Sequence, residues 1–456
     1  MTFSAIILAA GKGTRMKSAL PKVLHPLLGR PMIHFVTNTV AAVGVNQTIV
    51  VLGHEAEQII PLLNEKTEIV YQRPLQLGTG HALQLALPAV AGNCDKLLIL
   101  CGDTPLLTTA TLQGLADYFS ESSAACTVLS TVIANSFGYG RIVRDLDGNL
   151  MQIVEEKDAS IEQKQIKEIN SGCYCFDAPA LREVIGELKP QNAQGEYYLT
   201  DAITALCKRG KIVNIYACQD SEEIMGINDR VQLAAADAIL RRRKNEQLMR
   251  QGVTMIDPNT TYIEAAVTIA PDTVIEPNTY IRGNSIIGGN CHIGPNADIA
   301  DSIIGDSCLI HRSMLCNCRT GNNCEIGPFA YLRPGTVLAD RVKAGHFVEI
   351  KKSEIGEGSK VPHLSYIGDC TIGIGVNIGC GTITCNYDGT NKHPTVIGDG
   401  AFIGSNTNLV APVKVGKNSV IGAGSTITDN VPDDALAVAR SRQTNIENWS
   451  AKKGKK

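Results

Sequence analysis

No apolar run in this 456-residue chain approaches the ~20 residues needed to cross a bilayer. Charge of one sign is scarce as well: 42 Lys and Arg stand against 45 Asp and Glu, a formal balance of −3. That balance gives no general argument for a nucleic-acid partner or a membrane surface, and neither is expected. The one basic cluster, "LRRRKNEQLMR" at residues 240–250, lies in a helix-like stretch and reads as a solvated face. "KKGKK" at the C-terminus reads as a disordered, solubilising tail.

Cysteine is plentiful, yet the patterns that would put it to structural use are missing. The fifteen cysteines are odd in number, and residues 1–10 carry no basic n-region and no cleavage site. Free thiols in a reducing cytosol, and hence a cytoplasmic protein, are the expectation. The tightest group, Cys316, Cys318 and Cys324 in "CNCRTGNNC", lacks the paired spacing of a zinc site. With 44% hydrophobic and 19% charged residues the chain reads as globular, and its length exceeds what one core usually organises.

Two periods divide the chain. Up to residue 227, short apolar runs alternate with helix-like segments: "AIILAA" with "PMIHFVTNTVAAVG", "TIVVLG" with "EAEQIIPLLN", "KLLILCGD" with "TATLQGLADYFSE". That alternation predicts an α/β domain with a doubly wound, Rossmann-like, mostly parallel sheet, over 1–227. Ligands in such sheets sit at the carboxyl ends of the strands, where "LAAGKGTRM" and "CGDTP" fall. Residues 228–251 hold helix formers without Pro or Gly, and Val231, Ala234, Ala235 and Ala238 fit one helical face. A single linker helix is predicted there, holding the two halves apart.

From 252 to 456 the period is six. Ile269, Ile275, Ile281, Ile287, Ile293 and Ile299 are each six apart, and the spacing returns at Ile397, Ile403, Leu409, Val415, Ile421 and Ile427. Between these runs it continues with interruptions. A helix of 3.6 residues per turn cannot keep such positions on one face, so a helix is excluded. Hexads that each supply one short strand and a corner, three to a coil, predict a left-handed parallel β-helix of about ten coils. "CNYDGTNKHP", residues 385–394, breaks the period and reads as a loop projecting from a coil.

"LAAGKGTRM" is not a P-loop, because no glycine stands five before Lys12 and no Ser or Thr follows it. It is not a dinucleotide fingerprint either, because Met16 occupies the third glycine position. What remains is a strand-to-loop turn whose amides can face an anion, with Lys12, Arg15 and Lys22 nearby.

"LAAGKGTRMKSALPKVLHPLLGRPMI" resembles the signature of sugar-1-phosphate nucleotidyltransferases. With "QLGTGHA", "CGDTPL", "GYGRI", "VEEKD", "NSGCY", "NAQGEYYLTD" and, in the hexad half, "GHFVEIKKS", "HLSYIGD", "NIGCGTITCNYDG" and "GSNTNLVAPV", the chain resembles one bacterial family throughout. That family is the bifunctional N-acetylglucosamine-1-phosphate uridylyltransferase / glucosamine-1-phosphate acetyltransferase.

For the first half the resemblance implies UTP and N-acetylglucosamine 1-phosphate as substrates, with UDP-N-acetylglucosamine and pyrophosphate as products. Positioning and charge neutralisation would carry such a transfer. The resemblance assigns Arg15 and Lys22 to the phosphates, and Asp103 with Asn228 to Mg2+, whose hard charge takes oxygen ligands. Leu8, Ala9, Ala10, Gly11, Gly78 and Thr79 would meet the uracil end. "YQRPLQLGTG" is one residue longer than the family pattern, which leaves Gln72 or Gln76 for a further uracil contact. Gly140, Glu155 and Asn170 map to the sugar.

For the second half the resemblance implies acetyl transfer from acetyl-CoA to glucosamine 1-phosphate, in a homotrimer whose sites are shared between neighbours. Histidine suits a base working at neutral pH, and His363 in "VPHLSY" matches the family's base, with Glu349 as a residue that would orient it. Arg333, Lys351, Tyr366 and Asn377 map to the sugar phosphate. Asn386, Tyr387, Ser405, Ala423 and Arg440 map to coenzyme A, as does Cys380, which stands where the family commonly has alanine. Two other readings stay open on the sequence: a different sugar-nucleotide pyrophosphorylase with a regulatory β-helix, and a scaffold subunit without chemistry.

Overall fold

The computed structural model describes residues 3–92 and 94–453. Residues 454–456, the end of the "KKGKK" tail, lie outside the described residues. The chain divides into two compact units, Met1–Leu240 and Arg241–Lys456.

The first unit is built on a sheet whose central order runs Val213–Ala217, Cys126–Val132, Glu168–Asp177, Lys96–Cys101, Phe3–Ala9, Gln47–Leu52, Glu68–Tyr71. Every pair along it is parallel except those made by Glu168–Asp177, which runs antiparallel to both neighbours. A hairpin, Arg141–Arg144 with Leu150–Val154, extends this antiparallel corner. Strands such as Phe3–Ala9 are apolar on consecutive residues because helices cover both faces. Ile6, Ile49 and Ile99 face one core; Ile7, Val50 and Leu100 face the other.

The second unit is a three-sided parallel β-helix of the left-handed, hexapeptide-repeat type. Its strands form three parallel sheets of eleven, ten and nine strands. All twelve aliphatic residues of the two regular runs are buried, most of them completely. Each isoleucine removed from water contributes on the order of 2 kcal/mol, offset in part by the ordering of its residue. The interruptions have a simple cause. Ile275 pairs with Ile293 over a full eighteen-residue coil, but Ile287 pairs with Ile304 and Ile299 with Leu315, so these coils lose a residue or two at a corner. Ile372 pairs with Ile397 because that coil accommodates the 385–394 loop.

The helix Arg230–Arg250 spans the division between the units. Its sequence-predicted apolar face is wrong: Val231, Ala234, Ala235 and Ala238 are exposed. The packed stripe is Leu233, Ala236 and Leu240, joined by Ile239, against Leu27, Met32 and Leu106. Three of the four expected positions were alanines, which bury little area, so the leucines set the orientation. The basic cluster is also more than a solvated face. Lys244 is half-buried and donates to the carbonyls of Ala265 and Val267 at 3.2 and 2.9 Å, and burial lowers its pKa. Arg241 stacks over the Tyr262 ring at 4.4 Å.

Candidate active sites

In the first unit, strand Phe3–Ala9 delivers the glycine-rich turn to the carboxyl edge of the sheet, and its neighbour Lys96–Cys101 delivers Asp103. The Gly102 amide donates to the Leu8 carbonyl at 2.9 Å, which locks these strand ends together. Gly13 sits at φ 60°, and a Cβ there would lie 2.6 Å from the Lys22 Cβ. Only glycine lets Lys22 come back this close to the turn.

Four residues far apart in sequence then meet. Lys22 Nζ donates to Asp103 Oδ2 and, at 2.9 Å, to Asn228 Oδ1. Arg15 Nη2 reaches the same Asn228 oxygen at 2.7 Å. The Ile227 amide donates to the Asp103 carbonyl at 3.0 Å, so the two oxygen-bearing segments are tied by backbone. A carboxylate and an amide oxygen thus converge on one positive charge.

A cleft of about 470 Å³ opens here, lined by Leu8, Ala9, Ala10, Gly11, Lys22, Gln72, Gln76, Gly78, Thr79 and Asp103. Gln72 is buried, and its Nε2 is engaged by the Gly78 carbonyl at 2.9 Å and His81 Nδ1 at 3.0 Å. Gln76 is held less firmly, by one 3.5 Å bond to the Gln72 carbonyl. Leu77 and Glu196 also line the cleft; both lie in quoted motifs, "QLGTGHA" and "NAQGEYYLTD", but neither was assigned a role from the sequence. Cys101 lines it too, but burial and then the Asp103 carboxylate push its thiol up to about 12, so it stays protonated and unreactive at neutral pH.

Gly140, Glu155 and Asn170 come together across three strands. Arg141 pairs with Val154 on one side and Ile169 on the other, so the next residues of those neighbours flank Gly140. The Asn170 amide donates to the Gly140 carbonyl at 2.9 Å. A Cβ at Gly140 would meet Ile153 Cγ2 at 3.1 Å and Glu155 Oε1 at 3.5 Å. Burial raises the Glu155 pKa, against the pull of the Thr200 hydroxyl that donates to it at 3.2 Å.

In the β-helix, His363 ends strand Lys360–His363 and is exposed at a corner. The backbone ladder continues along this corner. The Leu364 amide donates to the His346 carbonyl, Gly381 to Leu364, Asn406 to Cys380 and Gly424 to Ser405. His363, Cys380, Ser405 and Ala423 therefore lie at one corner on successive coils, all exposed. The His346 and His363 rings meet edge to face at 5.5 Å.

One adjoining sheet carries the cations. The register places Arg333 beside Lys351, and Arg333 Nη1 donates to Glu349 Oε1 at 2.7 Å. The structure thus gives Glu349 to Arg333, where the sequence suggested His363. Lys392, from the projecting loop, stands beside Lys351 and lowers its pKa by like-charge repulsion. Lys392 escaped the sequence reading because loop contacts leave no periodic trace. Gly368 admits both the Tyr366 hydroxyl and Asn386 Nδ2, which lie 2.5 and 2.7 Å from where its Cβ would be. Asn386 Nδ2 donates to Asp369, and Tyr387 remains exposed on the loop. Asn377 belongs to the other adjoining sheet, with Lys360 and Phe402 as its strand neighbours. Arg440 is exposed, its Cδ 3.9 Å from where a Gly424 Cβ would stand.

Residues 5–145 match the family described as MobA-like NTP transferase domain. Residues 266–300 and 394–429 match that described as bacterial transferase hexapeptide (six repeats). A nucleotidyltransferase joined to a hexapeptide-repeat transferase is the class that fold and sites define. The chain is 55% identical over 444 residues to the bifunctional protein GlmU of Carboxydothermus hydrogenoformans, covering 97% of this chain and 99% of that protein. It is 54% identical to the GlmU of Heliobacterium modesticaldum, over 99% of this chain and 98% of the relative. The GlmU of Shouchella clausii is 49% identical, covering 98% of each. The chain belongs to the family of the bifunctional protein GlmU.

Proposed function

We propose that the β-helix acetylates glucosamine 1-phosphate from acetyl-CoA and that the N-terminal unit joins the product to UTP, releasing pyrophosphate and UDP-N-acetylglucosamine. The meeting of Arg15, Lys22, Asp103 and Asn228 beside the cleft carries the second half of this reading. In it the sugar phosphate oxygen attacks the α-phosphorus of UTP in line. Lys22 and Arg15 offset the charge of the triphosphate, while Leu8–Gly11, Gly78 and Thr79 receive the uracil end. Gln72 is favoured over Gln76 as the further uracil contact, because its side chain is fixed on two partners. Gly140, Glu155 and Asn170 receive the sugar.

Asp103 and Asn228 fit Mg2+. Both offer hard oxygens, and both already share one cationic group, the Lys22 ammonium. Mg2+ bound by them would neutralise phosphate oxygens and leave its other positions to substrate and water.

For acetyl transfer, His363 removes the proton that the sugar's 2-ammonium group must lose before its nitrogen attacks the thioester. Arg333, Lys351 and Lys392 form the cationic patch for the sugar phosphate, with Tyr366 and Asn377 on the sugar. Cys380, Asn386, Tyr387, Ser405, Ala423 and Arg440 serve coenzyme A. The corner of His363 also carries an exposed apolar row of Phe329, Phe347 and Leu364, with the two phenyl rings stacked at 5.1 Å. The exposure of this row supports a homotrimer with sites shared between neighbours, in which a second copy would cover it. Among the described residues no helix is long and apolar enough to cross a membrane; in this reading the reactions run in the cytoplasm, on small soluble substrates.

A split assay tests the reading. N-acetylglucosamine 1-phosphate, UTP and magnesium should yield pyrophosphate, and chelation should stop it. Glucosamine 1-phosphate and acetyl-CoA should release free thiol with or without chelator. Pyrophosphate without thiol would make the β-helix a scaffold.

A further inference from the structure

We propose that Arg141, through its partner Glu156, is the positioning residue of the N-acetylglucosamine 1-phosphate half-site. This rests on the assignment of Gly140, Glu155 and Asn170 to the sugar. The Arg141 side chain is only 2% exposed and is among the largest buried side chains of the described residues. Its Nη2 donates to Glu156 Oε2 at 2.6 Å, and its Nη1 donates to the Tyr139 carbonyl. The same Glu156 oxygen accepts the Gly138 amide at 3.1 Å. One ion pair therefore grips the Gly138–Gly140 turn at two places, the amide of its first residue and the carbonyl of its second.

The consequences reach all three sugar residues. Gly140 follows the gripped Tyr139 directly and fixes Asn170 through its carbonyl. Glu155 precedes Glu156, so the pull on Glu156 sets the backbone from which Glu155 projects. Arg141 also favours the ionised form of Glu155, opposing the effect of burial. Burial raises the Tyr139 pKa, and the backbone of Gly226, two residues before Asn228, pulls it back.

Stability does not account for the pair. A buried ion pair is often no more stabilising than apolar residues of the same volume. This one also leaves the Arg141 Nε buried without a hydrogen-bond partner among the described residues. Fixed geometry is what the arrangement supplies, and displacements of an ångström in such supports cost up to about a hundredfold in rate.

The test uses the full-length chain with magnesium, measuring kcat and KM separately for UTP and for N-acetylglucosamine 1-phosphate. Arg141→Met should raise the sugar-phosphate KM tenfold or more and leave the UTP KM within twofold. Arg141→Lys should recover part of the loss, because lysine can pair with Glu156 but lacks the fork that also reaches the Tyr139 carbonyl. Glu156→Gln, which keeps the shape and removes the charge, should show the same selective rise and carries the test if Arg141→Met does not fold. Equal changes in both KM values, or no change in a folded variant, would overturn the proposal. Asn170→Ala separates the two levels of the argument. If it raises the sugar KM while the Arg141 and Glu156 variants do not, only the positioning role fails. If it too has no effect, the sugar-site assignment is at fault.

Discussion

Cys380 is the one exposed thiol among fifteen, the others being buried or half-buried, and it stands at the corner of His363, Ser405 and Ala423. Cys318 and Cys370 are buried, and burial pushes the first up to about 11 and the second higher still. Brief treatment of the native protein with iodoacetamide should therefore label Cys380 first, read by peptide mass spectrometry. Acetyl transfer should fall in step with that label and be protected by acetyl-CoA. Full labelling with unchanged acetyl transfer would remove Cys380 from the coenzyme site. Glu155 gives a second prediction at this scale. Burial holds its pKa above the ordinary 4.5, with Asp158 and Asp201 raising it and Thr200 and Arg141 lowering it. The folded protein thus binds this proton more tightly than the unfolded chain, so ionised Glu155 opposes folding at neutral pH, and that opposition fades as pH falls through its raised pKa. In the proposed role an ionised Glu155 accepts from the sugar hydroxyls, so the sugar-phosphate KM should rise on acidification at a pH above 4.5. Glu155→Gln should flatten that rise while melting at a slightly higher temperature at pH 8. A wild-type KM independent of pH would contradict the assignment.

At the scale of elements, the sequence and the structure agree where a period is long and diverge where the signal is brief. Twelve aliphatic positions six apart admit one solution, a coil with those side chains inside, and all of them are inside. The missing corner residues that interrupt the period were invisible as such, since a one-residue deletion looks like any irregularity until strands are paired. The linker helix shows the opposite case: its existence was legible, but its buried face was not, because three alanines and a valine compete poorly with Leu233 and Leu240. The 385–394 loop was legible only as a break. Its internal order comes from Asp388, which accepts the Thr390 and Asn391 amides and meets His393 at 2.7 Å, and these bonds hold its carboxyl down to about 2. Among site residues, Lys392, Glu196 and Arg141 lie inside segments quoted above yet were not singled out, since a motif match does not say which neighbour each side chain meets.

At the scale of the whole molecule, the two periods correspond to two compact units, each with its own candidate site. Light scattering should return three times the chain mass, and Phe347→Glu, at the exposed apolar corner, should lower it. Trimer mass with that variant would place the contact elsewhere. The central claim is that one chain carries two independent chemistries, and paired substitutions test it most directly. Asp103→Ala and His363→Ala, each shown to be folded by thermal melting, are assayed for pyrophosphate release and for thiol release. Asp103→Ala should lose pyrophosphate release by at least a hundredfold and keep thiol release. His363→Ala should do the reverse. Loss of both activities from either folded variant would contradict the account.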